Sequence, residues 1–187
     1  MILPIYTYGQ TVLRKVAEDI PADYEGLQEF LQNMYGTLDA SEGIGLAAPQ
    51  VGRAIRVVVI DLDVLSEDMP EYKGFRHAFI NPHIVEVDED STVENMEEGC
   101  LSIPGIHEKV ARHTRIHVTY LDEDMQPHDE WVEGYLSRVM QHEFHHLEGK
   151  MFVDRVSPLR KQLIKNKLKS IMQGRFRCPY RTKATAK

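Results

Sequence analysis

The sequence feature that most constrains the fold is the run His142-Glu143-Phe144-His145-His146. Apolar residues at helical spacing predict a helix over residues 136–147, on which His142 and His146 are four positions apart and share one face. Two imidazoles on one face can bind the same metal ion, and Glu143 can act as a general base for an attacking water. The apolar residues before the motif indicate that this helix is buried. Buried histidines need partners for their ring nitrogens. The sequence therefore predicts a core helix that carries a metal site.

A metal held by two histidines of one helix needs at least one further ligand. No histidine follows His146, and the acidic residues beyond it lie too close to serve as the distant glutamate of other zinc peptidases. Phe152 stands where metalloproteases with three histidines have the third one. The third ligand must therefore come from an upstream residue or from a cysteine.

The chain has two cysteines, Cys100 and Cys178. Cys178 lies in a basic, proline-containing tail, which favours an incidental thiol. Cys100 lies in the short segment Glu98-Gly99-Cys100-Leu101-Ser102 between predicted strands, where it is either a small buried apolar residue or a ligand. A thiolate with two imidazoles would leave one position open for water, as a hydrolytic metal requires.

A third segment, Gly43-Ile44-Gly45-Leu46-Ala47-Ala48-Pro49-Gln50, combines small residues with an amide. The small residues permit close backbone approach, and Gln50 offers a side-chain N–H donor. The lysine and Ser/Thr of a phosphate-binding loop are missing. On its own, this segment predicts a glycine-punctuated turn.

The remaining periodicities predict an α+β domain without internal repeats. An amphipathic helix is expected over residues 22–40, with Pro21 and Asp23 as start signals, after a short helical turn at 11–17. Strands are expected over 55–60, 77–87 and 109–122 and near Trp131. Ser157 and Pro158 predict the start of a third helix. Its expected apolar stripe is Leu159, Leu163, Ile164, Leu168, Ile171 and Met172.

Charge is divided unevenly along the 187 residues. The net charge of −7 combines −18 over residues 1–154, with 11 basic and 29 acidic side chains, and +11 over residues 155–187, with 11 basic side chains alone. We call residues 155–187 the basic tail. Two cysteines are too few for a disulfide scaffold, and no apolar run approaches the ~20 residues of a membrane span. The start has no signal-peptide pattern, so a cytoplasmic protein is expected.

Together, the three segments resemble, in order and spacing, the signature motifs of the peptide deformylases. Residues 43–50 match Gly-x-Gly-x-Ala-Ala-x-Gln, residues 98–102 match Glu-Gly-Cys-Leu-Ser, and residues 141–146 match Gln-His-Glu-x-x-His. The resemblance runs over residues 1 to about 155. These residues are expected to form one catalytic domain, and residues 156–187 are expected to be appended to the same domain as a C-terminal amphipathic helix with a basic end. The expected fold has mostly antiparallel sheets around a central HExxH helix, with an N-terminal amphipathic helix and a C-terminal helix.

The resemblance implies removal of the formyl group from N-formyl-methionyl nascent peptides, with release of formate. It implies one divalent metal ion per chain, natively Fe²⁺, with Zn²⁺, Ni²⁺ or Co²⁺ able to replace it. The implied ligands are Cys100, His142 and His146. Glu143 would carry the proton from water to the leaving amine, while the Gln50 side chain and the backbone N–H of Leu101 stabilise the oxyanion.

The resemblance also implies how the substrate is held. The backbone of Gly45 would pair with the extended peptide, a contact that tolerates any sequence. The implied pocket for the methionine side chain comprises Ile44, Tyr135, Arg138 and Val139. For Arg138, we expect the stem to line the pocket while the charged head reaches solvent.

The chain departs from the family pattern at His145. The family usually has an aspartate there, which pairs with an arginine after the cysteine motif. Arg112 is the expected counterpart, and His145 cannot form that ion pair. Because His145 is about 100° around the helix from His146, it is not expected to be a ligand.

Two other functions remain open. A metallopeptidase that cleaves internal peptide bonds would share the HExxH motif but would not need Cys100. A nonenzymatic ribosome- or RNA-associated factor would account for the basic tail but not for Cys100 or Glu143. The tail itself is either a solvated helix face with a frayed end or a docking site for ribosomal RNA, whose binding would weaken steeply with salt. Neither DNA nor membrane is expected as a partner.

Overall fold

The computed structural model describes residues 1–184, which contain three α-helices and nine strands. The helices are α1 (Leu27–Ser41), α2 (Gly134–Leu147) and α3 (Pro158–Met172). The strands are β1 (Ile5–Tyr6), β2 (Gly45–Ala47), β3 (Val57–Asp61), β4 (Arg76–Val87), β5 (Val93–Cys100), β6 (Ile103–His113), β7 (Arg115–Leu121), β8 (Pro127–Glu133) and β9 (Thr182–Lys183). Within residues 1–184, no helix combines the length and the apolar character needed to cross a membrane.

The strands form three sheets, and the predicted α+β class is confirmed. The largest is antiparallel, with strand order β2-β3-β4-β7-β8. Strands β5 and β6 form a separate antiparallel pair, and β9 pairs in parallel with β1 at the start of the chain. Strand β3 is buried along its whole length, as expected for a run of β-branched residues inside a sheet.

Helix α2 packs one face on the five-stranded sheet. Its residues Val139, Met140, Phe144 and Leu147 belong to one buried group with side chains of β3, β4 and β7. The rings of Phe144 and Phe79 meet edge to face, with centroids 5.9 Å apart. Because residues four apart share a helix face, His142 and His146 lie on a different side of α2, toward β5.

Helix α1 begins later than the sequence predicted. The predicted range was 22–40, whereas the helix spans Leu27–Ser41. Gly26 precedes it with φ +76°, a left-handed conformation that breaks the helical path, so Pro21 and Asp23 are not its start signals. The predicted turn over 11–17 is a 3-10 helix at Thr11–Arg14.

The predicted strand over 109–122 is two strands that belong to different sheets. Strand β6 ends at His113, and β7 begins at Arg115. Strand β6 pairs with β5, whereas β7 pairs with β4 and β8. Alternation of apolar residues continues through both strands, which conceals the break at Thr114. Strand β5 itself, rich in glutamate, was not predicted.

Helix α3 begins as predicted, with the Ser157 side chain accepting a hydrogen bond from the backbone N–H of Arg160. Its predicted apolar stripe is only partly buried. Ile164 and Ile171 pack in a core group with Leu13 and residues of β6, whereas Leu159 and Leu163 are exposed. After α3 the chain returns to the body of the protein, where β9 pairs with β1.

Candidate metal centre

Three donor atoms from two distant segments converge beside α2. Cys100 ends β5, and His142 and His146 lie one helical turn apart on α2. Their ligand atoms all lie within 4.8 Å of one another, and Sγ of Cys100 is 3.3 Å from Nε2 of His146. Among residues 1–184, this is the only group of three or more His, Cys, Asp or Glu residues with such spacing. The structure thus brings together the three residues that the sequence proposed as ligands.

The donor set fits a divalent transition metal. One thiolate and two imidazoles suit iron, zinc, nickel or cobalt better than magnesium or calcium, which prefer oxygen ligands. A buried oxygen of Glu143, Oε2, has no hydrogen-bond partner within residues 1–184, so it is available to a water or another polar group bound beside the donor atoms. Phe152, at the position where a third histidine would be in other metalloproteases, stacks on His142 with ring centroids 5.9 Å apart.

Glu98 orients one of these imidazoles and was not singled out by the sequence analysis. Its Oε2 accepts a hydrogen bond from Nδ1 of His142 at 2.9 Å, which leaves Nε2 of that ring free to face the donor group. Burial alone would raise the pKa of Glu98, but hydrogen bonds from Arg112 and His142 outweigh it and hold the pKa well below its usual range. The signal for this role was its place in the Glu-Gly-Cys-Leu-Ser motif.

Arg112 forms its ion pair with Glu98 rather than with His145, the residue before the second histidine of the motif. Its Nε and Nη2 donate to the two Glu98 oxygens at 2.5 and 2.9 Å. Its Nη1 lies 3.2 Å from Nδ1 of His145. Because a guanidinium only donates, His145 must be a neutral acceptor there. Burial and the Arg112 charge lower the pKa of His145 to about 3. The ion pair that the family usually has at this position is thus replaced by a neutral hydrogen bond between Arg112 and His145.

Glu143 lies buried next to the donor group. Burial raises its pKa to about 7, against the opposing effect of His142. Gly45 of β2 leaves room for it, because a Cβ on this glycine would lie 2.5 Å from Oε1 of Glu143. A carboxyl group with a pKa near neutrality can both accept and return a proton.

Gln50 contacts Cys100 through its side-chain amide. Its side-chain Oε1 accepts a hydrogen bond from the backbone N–H of Ala47 at 2.8 Å, which fixes the orientation of the amide. The Nε2 group then points at Sγ of Cys100, 3.4 Å away, and at Oγ of Ser102, 3.2 Å away. Leu101 lies in the turn between β5 and β6. The small residues of 43–50 thus form β2 and a following 3-10 turn that delivers Gln50.

A cavity of about 480 Å³ opens onto the donor group. All four residues of the implied methionine pocket, Ile44, Tyr135, Arg138 and Val139, line it. The expectation for the head of Arg138 is wrong. Its guanidinium is buried, where it donates to Glu98, to the carbonyl of Val110 and to the carbonyl of Glu94. Paired in this way, the charge can be buried without reaching solvent.

Residues of the basic tail also line this cavity. They are Arg177, Cys178, Pro179 and Tyr180. Cys178 is not part of the three-residue donor group. It lines the cavity rather than lying in a frayed end. No local pattern in the sequence indicated this position, because the contact joins segments far apart in the chain.

An α+β protein with a Cys-His-His donor group beside a buried carboxylate has the features of a metallohydrolase. The sequence pattern of the family described as Polypeptide deformylase matches residues 2–162. The chain belongs to this family, and its resemblance to the peptide deformylases is confirmed. Members of the family are metal-dependent hydrolases that act on formylated nascent peptides.

Individual relatives are similar to this chain over nine-tenths or more of its length. A peptide deformylase from Flavobacterium johnsoniae is 45% identical, with 100% of this chain and 97% of the relative covered. The crystal structure of a peptide deformylase from Legionella pneumophila has a TM-score of 0.78 at 34% identity and covers 95% of this chain and 100% of its own. One from Plasmodium falciparum has a TM-score of 0.80 at 34% identity, with 91% and 95% covered. These findings favour a deformylase over a peptidase or a nonenzymatic factor.

Proposed function

We propose that this chain hydrolyses the N-formyl amide of formyl-methionyl nascent polypeptides, releasing formate and the free methionine amine. The observation that carries the proposal is the convergence of Cys100, His142 and His146 within 4.8 Å, beside the unpartnered carboxylate oxygen of Glu143. On this proposal, the enzyme works in the cytoplasm, where translation supplies its substrate.

Cys100, His142 and His146 would hold one divalent ion, natively Fe²⁺, with Zn²⁺, Ni²⁺ or Co²⁺ able to replace it. When bound, the ion would supply Lewis acidity to the formyl carbonyl and to the attacking water. Glu98 fixes the ring of His142 through Nδ1, and so determines which nitrogen faces the ion.

Glu143 would move the proton. Its carboxylate takes a proton from the attacking water and gives it to the amine nitrogen as the C–N bond breaks. The pKa of Glu143, raised by burial, suits both steps, because a carboxyl group that titrates near neutrality can both take up and release a proton.

Gln50 and Leu101 would stabilise the negative charge that develops on the formyl oxygen. The Gln50 amide is held by Ala47 before substrate binds, so little reorganisation is needed. The backbone N–H of Leu101 would be the second donor. Loss of one such donor costs about 10²–10³ in kcat in other hydrolases, and less where a metal shares the charge.

The substrate would bind along β2 and into the cavity. Strand β2 lies at the edge of the five-stranded sheet, so an extended peptide can add to it beside Gly45 through backbone hydrogen bonds. Ile44, Val139 and the ring of Tyr135 would receive the methionine side chain. Arg138 contributes its stem to this pocket, while its buried head supports Glu98.

The test is a formyl-Met tripeptide assay under anaerobic conditions, with metal analysis of the same samples. Formate release is expected, with intact peptide bonds by mass spectrometry, and Glu143→Ala should lower kcat about 10²–10⁴-fold with metal content unchanged. Cys100→Ser should lose the metal, whereas a peptidase that did not use Cys100 would retain it. Internal cleavage, or formate release undiminished in Glu143→Ala, would contradict the proposal.

We further propose that residues 1–155 and the basic tail form a single domain, and that exposed lysines of α3 dock on ribosomal RNA. Ile164 and Ile171 anchor α3 in the core, and Lys161, Lys165 and Lys169 are exposed on it. Lys187 lies outside the described residues. Changing these three lysines to glutamate should abolish salt-sensitive co-sedimentation with ribosomes, while Lys73→Glu, on the acidic body, should not. Unchanged co-sedimentation of the triple variant would exclude this docking.

A further inference from the structure

The segment that follows α3 closes one side of the cavity. The chain turns at Gly174, which has φ +68°, and Phe176 then packs on the core group that holds α3. A few residues later, β9 pairs with β1, where the backbone N–H of Ile5 donates to the carbonyl of Arg181 at 2.9 Å. Between these two anchors, residues 177–180 line the cavity. These four residues lie beyond residues 2–162, which the family pattern matches.

Tyr180 connects this segment to the metal centre. Its ring is partly buried against the core group of α1 and β3, and its hydroxyl donates to the carbonyl oxygen of Leu101 at 2.9 Å. Ser102, the residue after Leu101, is also held in place, because its carbonyl accepts a hydrogen bond from the backbone N–H of Tyr8 at 2.8 Å. The turn after Cys100 is therefore fixed by contacts from both ends of the chain.

We propose that Tyr180 is a positioning residue for deformylation, which holds the backbone of Leu101 so that its N–H faces the developing oxyanion. This inference rests on the proposed function. The hydrogen bond restrains rotation at Leu101 through its carbonyl, and the ring of Tyr180 forms part of the cavity wall on the same side. Because the negative charge develops only in the transition state, a misplaced donor lowers kcat and leaves KM unchanged.

The test is Tyr180→Phe, which keeps the ring and removes the hydroxyl. The expected result is a three- to tenfold fall in kcat per bound metal, about the worth of one neutral hydrogen bond, with KM and the unfolding midpoint near those of the wild type. The matched control is Tyr120→Phe, which removes a hydroxyl that donates to Glu130 on β8, outside the cavity lining. This control should leave kcat unchanged.

Two inhibitors separate positioning from a merely structural effect. The metal-binding group of a methionine-like peptide hydroxamate contains a carbonyl oxygen, as the formyl group does, whereas that of the matching peptide thiol contains none. Tyr180→Phe should weaken the hydroxamate about three- to tenfold and leave the thiol unchanged. The ratio of the two inhibition constants does not depend on how much of the variant is folded or loaded with metal.

The outcomes separate the two proposals. If the wild type releases no formate from formyl-Met peptides, the proposed function fails. If the wild type is active but Tyr180→Phe keeps the wild-type kcat and inhibitor ratio, only the role of Tyr180 fails. An equal loss of affinity for both inhibitors would also overturn it, since that result indicates a general disturbance of the cavity.

Discussion

Nδ1 of His142 donates a hydrogen bond to Oε2 of Glu98 at 2.9 Å, inside a buried cluster that also holds two guanidinium groups. Glu98 thus has two tasks. It orients an imidazole of the donor group, and it accepts hydrogen bonds from the buried guanidinium groups of Arg112 and Arg138. A single carboxylate therefore links the chemistry of the site to the packing of β5, β6 and α2.

Glu98→Gln should damage both the metal site and stability. The amide is uncharged, so it leaves two buried arginines unpaired, at a cost of about 3–5 kcal/mol in the free energy of unfolding. Loss of the carboxylate behind His142 should weaken metal binding about 10–100-fold. Competition with a chelator and thermal unfolding measure the two effects. Glu94→Gln, an exposed position on the same strand, is the control, and wild-type metal affinity in Glu98→Gln would contradict the assignment.

Gly45→Ala should lower activity without unfolding the protein. The new Cβ would lie 2.5 Å from Oε1 and 2.8 Å from Cδ of Glu143, so the carboxylate must move. A displacement of about 1 Å in a proton-transfer group can cost about 10²-fold in kcat. Kinetics normalised to bound metal, with the unfolding midpoint, provide the measurement.

The control for this substitution is Gly36→Ala in α1. A Cβ at Gly36 meets no atom within 4 Å apart from its chain neighbours and the nearby backbone of its own helix, and alanine stabilises a helix interior by about 0.5–1 kcal/mol over glycine. Activity should therefore be unchanged and stability slightly higher. Full activity in Gly45→Ala would show that Glu143 does not need its present position.

The sequence predicted the donor group because each of its residues lies in a local motif. His142 and His146 follow from helical spacing, and Cys100 from the motif before the β5–β6 turn. Tyr180 could not be predicted in this way. Its contact with Leu101 joins residues 79 positions apart, and only the path of the chain after α3 brings them together. Long-range packing of this kind leaves no periodic trace in the sequence.

Secondary structure was predictable where burial follows a regular pattern. Strand β3, with every residue buried, was found within two residues of its true start. Strand β5 was missed because most of its side chains are exposed, so neither apolar alternation nor β-branched residues mark it. The break between β6 and β7 was missed for the opposite reason, since alternation continues across Thr114 while the two strands enter different sheets.

His145→Asp should stabilise the protein. The cations Arg112, Arg155 and Lys150 all disfavour a positive charge at His145, so the same surroundings favour a carboxylate. Replacing a neutral acceptor of the Arg112 N–H by a charged one should add about 1 kcal/mol, or about 2–4 °C in the unfolding midpoint. His145→Asn, of similar size but uncharged, is the control. A lower midpoint for the aspartate variant than for the asparagine variant would contradict this interpretation.

Helix α3 should become less stably docked in acid. Arg160 Nε and Nη2 donate to the two oxygens of Glu108 on β6 at 2.7 and 2.8 Å, and these hydrogen bonds lower the pKa of Glu108. Because the folded pKa lies below the unfolded value of about 4.3, the pair stabilises the fold above that pH. Its contribution is lost as the pH falls through the folded pKa.

The comparison of wild type with Glu108→Gln isolates this pair from other acidic groups. The wild type should unfold about 1–4 °C above the variant at pH 7, and this difference should shrink as the pH falls below about 4.3 and through the folded pKa of Glu108. Hydrogen exchange should place the change in α3, because the pair joins that helix to β6. A difference that stays constant from pH 7 to pH 3 would show that Glu108 acts through its shape rather than its charge. A difference that grows in acid would reverse the sign required by a lowered pKa, and would exclude the ion pair as the support of α3.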